Sequence, residues 1–130
     1  MDITIDTSAI MAVILNETSK RALIRVTRGE QLGSAPTLPW EVGNALSALL
    51  RRRRIDGAQA QAAFASYRKI PVRLLDVTIA DAVALAGEHG IYAYDAYVLD
   101  CARRYRTPLL SLDQQQVTIA RELGIEVLEV

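Results

Sequence analysis

Four acidic residues, Asp6, Glu41, Asp95 and Asp113, stand just after an apolar strand or at the opening of a helix. They are far apart in sequence, yet a parallel α/β sheet gathers such positions at its carboxyl edge. Gathered carboxylates repel one another unless a cation or shared protons compensate. The chemistry this suggests is a hard divalent metal held by oxygen, and with it the chemistry of phosphates. Each acid also has a simpler use. Asp is a preferred helix N-cap, and acids near a helix N-terminus interact well with the macrodipole, so Asp6 and Asp113 taken singly are equally caps. Asp95 and Glu41 are less easily explained in that way. Asp95 lies among Ile91, Tyr92, Ala93, Tyr94, Ala96, Tyr97, Val98 and Leu99, and Glu41 lies between Trp40 and Val42. A carboxylate buried among apolar groups needs a partner, and no Lys or Arg is close in sequence to Asp6, Asp95 or Asp113. Asp100 follows Asp95 by five positions, about 140° round an ideal helix, and is not counted with the four.

The elements that must position these acids follow from hydrophobic periodicity. Ile3 and Ile5 alternate with polar residues as a short opening strand. A short apolar helix over Ala9–Leu15 and an amphipathic one over Glu17–Arg28 follow, and Gly29 ends the second. Gln31–Ala35 reads as a strand stopped by Pro36. A helix from Pro39 to Arg53 carries Val42, Leu46, Leu49 and Leu50 on one face. Asp56 caps the next helix, about Ala58–Lys69. Val72–Val77 is a strand, and Thr78 with Asp81 resembles a capping box for the helix that closes near His89 and Gly90. Tyr94–Tyr105 is a helix, Pro108–Leu112 a strand, Asp113–Leu123 a helix stopped by Gly124, and Ile125–Val130 a last strand. This alternation predicts an α/β domain covering 1–130, with a central parallel sheet of about five strands sandwiched between helices.

Composition narrows the partners. A 51% apolar fraction with one Phe and one Trp makes a core of Leu, Ile, Val and Ala. The 15 basic and 15 acidic residues cancel, so any RNA-binding surface has to be local. Cys101 is the only cysteine, which excludes an intrachain disulfide and a Cys-rich zinc site; it reads as a small core residue. His89, the only histidine, reads as a partner of a helix C-terminus rather than a base. No signal peptide and no membrane span is expected, which points to a cytoplasmic setting.

The residues around the four acids resemble those of PIN-domain ribonucleases. Ile5-Asp6-Thr7-Ser8 looks like their opening motif, and Trp40-Glu41-Val42-Gly43-Asn44-Ala45-Leu46 like their second, with Asn44 three residues after the acid. Tyr94-Asp95-Ala96-Tyr97-Val98-Leu99 is similar to the third, and Leu110-Ser111-Leu112-Asp113 to the fourth, with Ser111 where Thr is usual. The likeness runs in order from Asp2 to Val130, and the size of the chain points to the VapC toxins of toxin–antitoxin pairs. The resemblance implies a Mg²⁺- or Mn²⁺-dependent endoribonuclease that leaves a 5′-phosphate and a 3′-hydroxyl. It implies a metal on Asp6 and Asp95, with Glu41 and Asp113 completing a second site or holding water. Thr7, Ser8, Asn44 and Ser111 are then expected to orient the acids. A homodimer and a VapB-like antitoxin partner are implied as well. Phe64 and Tyr67, three apart on one helix face, read as core; by analogy with the family, they and Met11 and Leu15 are also candidates for a groove that receives the antitoxin.

Arg51, Arg52, Arg53 and Arg54 form the one strong charge run. It is either a solvated helix C-terminus or a set of RNA phosphate contacts. Arg103, Arg104 and Arg106 carry the same two readings. Two other functions are weighed against the nuclease. A phosphatase of the haloacid dehalogenase type also begins with Asp after its first strand, but it wants a second acid where Ser8 stands. A catalytically silent PIN fold acting as a protein-binding module is the other, and the presence of all four acids argues against it.

Overall fold

The computed structural model describes residues 1–130. Strand β1 (Ile3–Ile5) is followed by helices α1 (Thr7–Ile14) and α2 (Lys20–Thr27), then strand β2 (Leu32–Ser34). Helices α3 (Leu38–Arg51) and α4 (Gly57–Arg68) lead to strand β3 (Val72–Leu74). Helices α5 (Ile79–His89) and α6 (Ala93–Tyr105), strand β4 (Leu109–Leu110) and helix α7 (Gln114–Glu122) complete the chain.

The sheet is parallel, in the order β3-β2-β1-β4. Strand β1 is therefore interior, with Thr4 opposite Gly33 on one side and Leu109 on the other. All three β1 residues are buried, as expected for a strand covered by helices on both faces. Thr4 tolerates this because its hydroxyl pairs with that of Thr107 at 2.6 Å. Two apolar clusters fill the two faces. Ile3, Ile5, Ile10, Leu23, Leu38 and Val42 lie in one; Leu75, Leu85, Leu99, Leu109 and Ile119 lie in the other.

The chain builds outward from β1 through β2 to β3, then returns to lay β4 on the opposite side of β1. The switch point between β1 and β4 is where an open α/β sheet forms its ligand crevice, and Asp6 and Asp113 follow these two strands.

Two expectations differ from the structure. The fifth strand is reduced to a single bridge between Leu109 and Val127, with Leu109 donating to Glu126 and accepting from Leu128. Strand β4 is only two residues long and Pro108 has no N–H to give, so the ladder has nothing to extend along. Thr78 does not form a capping box: its N–H donates to Asp100 at 3.1 Å and its hydroxyl accepts from Arg104. These tertiary partners outcompete the local cap. Met11, Leu15, Phe64 and Tyr67 pack together on or in the first cluster, with the Phe64 and Tyr67 rings 5.6 Å apart. This bears out the core reading of Phe64 and Tyr67, which with Leu15 are only partly buried. Asp56 does cap α4, in a full capping box with Gln59.

Candidate active site

Asp6 is the N-cap of α1, and its carboxylate is fully engaged. Oδ1 accepts from the Ala9 N–H at 3.2 Å and the Ser8 hydroxyl at 2.6 Å, and Oδ2 accepts from the Ser111 hydroxyl. The two serines also tie the chain ends of β1 and β4 together. Ser8 accepts from the Leu112 N–H at 2.9 Å, and Ser111 accepts from the Asp113 N–H at 3.0 Å. Burial raises the Asp6 pKa; the bonds from Ser111, Ser8 and Ala9 oppose that, and the charge of Asp113 adds to it.

Glu41 sits in the first turn of α3. Its Oε1 accepts from Thr7 at 3.2 Å and its Oε2 from Thr37 at 2.6 Å. Burial raises its pKa too, against the lowering effect of both threonines, and Asp95 raises it further. Asp95, in the first turn of α6, is raised by burial and then by Asp113, with no opposing hydrogen bond. Its backbone carbonyl accepts from the buried amide of Gln116 at 3.0 Å, which ties the opening of α6 to α7. Asp113 is the exposed N-cap of α7, taking the N–H groups of Gln115 and Gln116 on Oδ1.

The acids thus influence one another in a chain, Asp6 to Asp113, Asp113 to Asp95, Asp95 to Glu41. None of the four is in an ion pair. An all-oxygen donor set without a cationic partner fits a hard divalent ion in its chemistry. As the side chains stand, no three of them converge on one point.

Other expected site residues are distributed unevenly. Thr7, Ser8 and Ser111 touch the acids directly. Asn44 is exposed and lines a cleft of about 510 Å³ with Thr7, Trp40, Glu41, Ala45 and Tyr94. Arg51 to Arg54 are exposed at the other end of α3, about 15 Å along its axis from Glu41, and are not brought to the acids. Arg103 reaches Asp100 at 3.5 Å and Arg104 reaches Thr78, so part of the second arginine cluster is engaged within the fold. Asp100 itself is buried and turned to Thr78, away from the acids' network. His89 ends α5, with Nδ1 3.4 Å from Glu122.

Sequence reasoning missed Thr37, Gln116, and the outward setting of Trp40 and Tyr94. Thr37 had a signal, since it precedes Glu41 by four residues and shares its helix face. Gln116 had none. The apolar neighbours of Glu41 and Asp95 do not bury them as expected: Trp40 is 73% and Tyr94 58% exposed. Burial of these acids comes from the fold around them instead.

The family described as PIN domain matches residues 3–122. Ribonuclease VapC3 of Pyrobaculum aerophilum is 29% identical over 120 residues, 88% of this chain and 92% of that protein. Among solved structures, PAE2754 of Pyrobaculum aerophilum superposes with a TM-score of 0.72 at 21% identity, covering 92% of this chain and 86% of that one. VapC20 of Mycobacterium tuberculosis, described as a sarcin-ricin loop cleaving toxin, gives 0.68 at 16% identity over 99% and 100%. VapBC2 of Rickettsia felis, solved with a DNA fragment from its promoter, gives 0.67 at 12% identity over 98% of both chains.

Proposed function

The chain belongs to the PIN-domain family, and on that premise we propose that it is a metal-dependent endoribonuclease, the toxin of a toxin–antitoxin pair. The observation that supports this reading is the run of four mutually influencing carboxylates at the β1–β4 switch point, with no cationic side chain to balance them. The names of the relatives supply RNA as the substrate and a VapB-like antitoxin as the partner.

Asp6, Asp95, Glu41 and Asp113 are the proposed holders of Mg²⁺ or Mn²⁺. A bound divalent ion supplies an activated water and offsets the charge that develops at the phosphorus. The protein's part is orientation. Ser8 and Ser111 hold both oxygens of Asp6, so that carboxylate cannot rotate freely. Thr7 and Thr37 do the same for Glu41. Asp95 carries no such clamp and is free to turn toward a ligand. Burial raises the pKa values of Asp6, Glu41 and Asp95, and a bound cation would oppose that effect by favouring their charged forms. Asp113 joins the two proposed pairs, since its charge acts on both Asp6 and Asp95. Arg51 to Arg54 are proposed phosphate contacts for a strand that runs beyond the cleft. A homodimer and a cytoplasmic setting complete the reading; no helix is long and apolar enough to cross a membrane.

The test is cleavage of structured RNA by the purified protein with Mg²⁺ or Mn²⁺. EDTA and Asp6→Asn should each abolish it, and cleavage that persists in EDTA refutes the metal mechanism. No cleavage of any RNA pool, together with no metal binding by calorimetry, favours a catalytically silent binding module.

A further inference from the structure

We propose that Trp40 and Tyr94 form a stacking platform at the mouth of the cleft that holds Glu41, where an unpaired nucleobase of the substrate lies next to the scissile phosphate. The proposal rests on the nuclease reading and narrows its substrate to RNA with unpaired bases.

Two aromatic–acid pairs carry it. Trp40 directly precedes Glu41 in the first turn of α3, and Tyr94 directly precedes Asp95 in the first turn of α6. Neighbouring positions on a helix point about 100° apart. Each acid therefore turns toward the fold while its aromatic neighbour turns to solvent. Both rings line the cleft that also holds Glu41. Tyr97 packs edge-on against Tyr94, with centroids 6.0 Å apart and planes at 86°, which limits where the Tyr94 ring can swing.

The occupant follows from the lining. Two aromatic faces suit a flat, neutral ring. Asn44 offers an amide to its edge, and Thr7 a hydroxyl oxygen that still accepts, its proton being given to Glu41. Glu41 repels an anionic group placed there without a cation, so the base rather than a phosphate fits the aromatic side. The chain has zero formal net charge and gains little from bulk attraction to RNA. Stacking supplies affinity that the charge balance does not. A base inside a duplex has no free face to offer, so the platform selects unpaired nucleotides.

Trp40 is the only tryptophan, so its fluorescence reports on the platform directly. The Asp6→Asn protein in Mg²⁺ is titrated with a short unpaired oligoribonucleotide and with a duplex of equal length. The unpaired strand should quench Trp40 and the duplex should not. In the otherwise unaltered protein, Trp40→Ala and Tyr94→Ala should each raise KM by about tenfold with a much smaller change in kcat. Trp40→Phe, which keeps a ring, should recover most of the loss. Cleavage with no quenching and an unchanged KM overturns the platform while the nuclease reading survives. Quenching by the unpaired strand without cleavage upholds the platform and overturns the nuclease. If Trp40→Ala instead changes the sedimentation behaviour of the free protein, and Trp40 emission shifts on dilution without RNA, the surface is a contact between copies and the proposal fails.

Discussion

The Ser111 hydroxyl donates to Oδ2 of Asp6 across 105 positions of sequence, and Ser111 Oγ in turn accepts from the Asp113 N–H. One small side chain thereby joins the ends of β1 and β4 and makes the hydrogen bond that most opposes the effect of burial on Asp6.

Removing that donor should move a pH profile. A hydrogen bond to a carboxylate is worth about 1.5–3 kcal/mol, and each pKa unit is about 1.4 kcal/mol. Ser111→Ala leaves burial of Asp6 less opposed, so its pKa rises further. The acidic limb of cleavage rate against pH should shift upward by about one unit, and Ser111→Thr should hold it in place. A limb that stays put in the alanine variant sinks this account of Asp6.

Stability should depend on pH with a sign opposite to that of a salt-bridged acid. Asp6, Glu41 and Asp95 all have raised pKa values, so the folded chain binds more protons than the unfolded chain in that range. Their stabilising effect is greatest below the ordinary carboxylate range and is lost as pH rises through the raised values. Thermal melts in EDTA should therefore show Asp6→Asn gaining on the original protein as pH climbs from about 4 to 7, by roughly 2–6 °C. Mg²⁺ should narrow the gap by binding only the folded acid site. A gap that shrinks with pH in EDTA contradicts the assignment.

Gln116 should matter to both stability and rate. Its buried amide donates to the Asp95 carbonyl and holds the opening of α6 against α7. Gln116→Ala should cost about 2–3 kcal/mol in urea melts, from a lost hydrogen bond and a cavity. Cleavage by the fraction that remains folded should fall as Asp95 loses its anchor. Full kcat in a destabilised variant would show that Gln116 serves the fold alone.

Cys101 should resist thiol reagents until the chain unfolds. Burial, with the nearby charge of Asp100, pushes its pKa up to about 12. At pH 8 only about one thiol in ten thousand is ionised. Labelling should be slow in buffer and fast in urea, and rapid labelling of the native protein is the result that counts against the buried setting.

Much of this was legible in the sequence because local rules and tertiary needs agreed. Asp6 and Asp113 cap helices and also face the same switch point, so either reasoning finds them. Asp56 and Gln59 needed only their spacing. The failures fall where distant partners decide. Thr78 has the form of a capping residue, but Asp100 and Arg104 arrive from α6 and take it. The apolar residues of Ile125–Val130 suggest a strand, but pairing requires a neighbour longer than β4 offers. Apolar neighbours in sequence suggested that Trp40 and Tyr94 enclose the acids, whereas helix rotation turns them out to solvent at the rim of the cleft. Gln116 carries no local mark at all, since its role exists only once α6 and α7 meet.

The order β3-β2-β1-β4 also sets when the site comes into being. A ribosome delivers Ser111 105 positions after Asp6, a gap of about 5–20 s at ordinary synthesis rates. Strand β1 waits through that interval with one edge unpaired, and Asp6 waits without the serine and the aspartate that complete its surroundings. Until Ser111 has emerged, Asp6 therefore lacks the hydroxyl that engages its second oxygen.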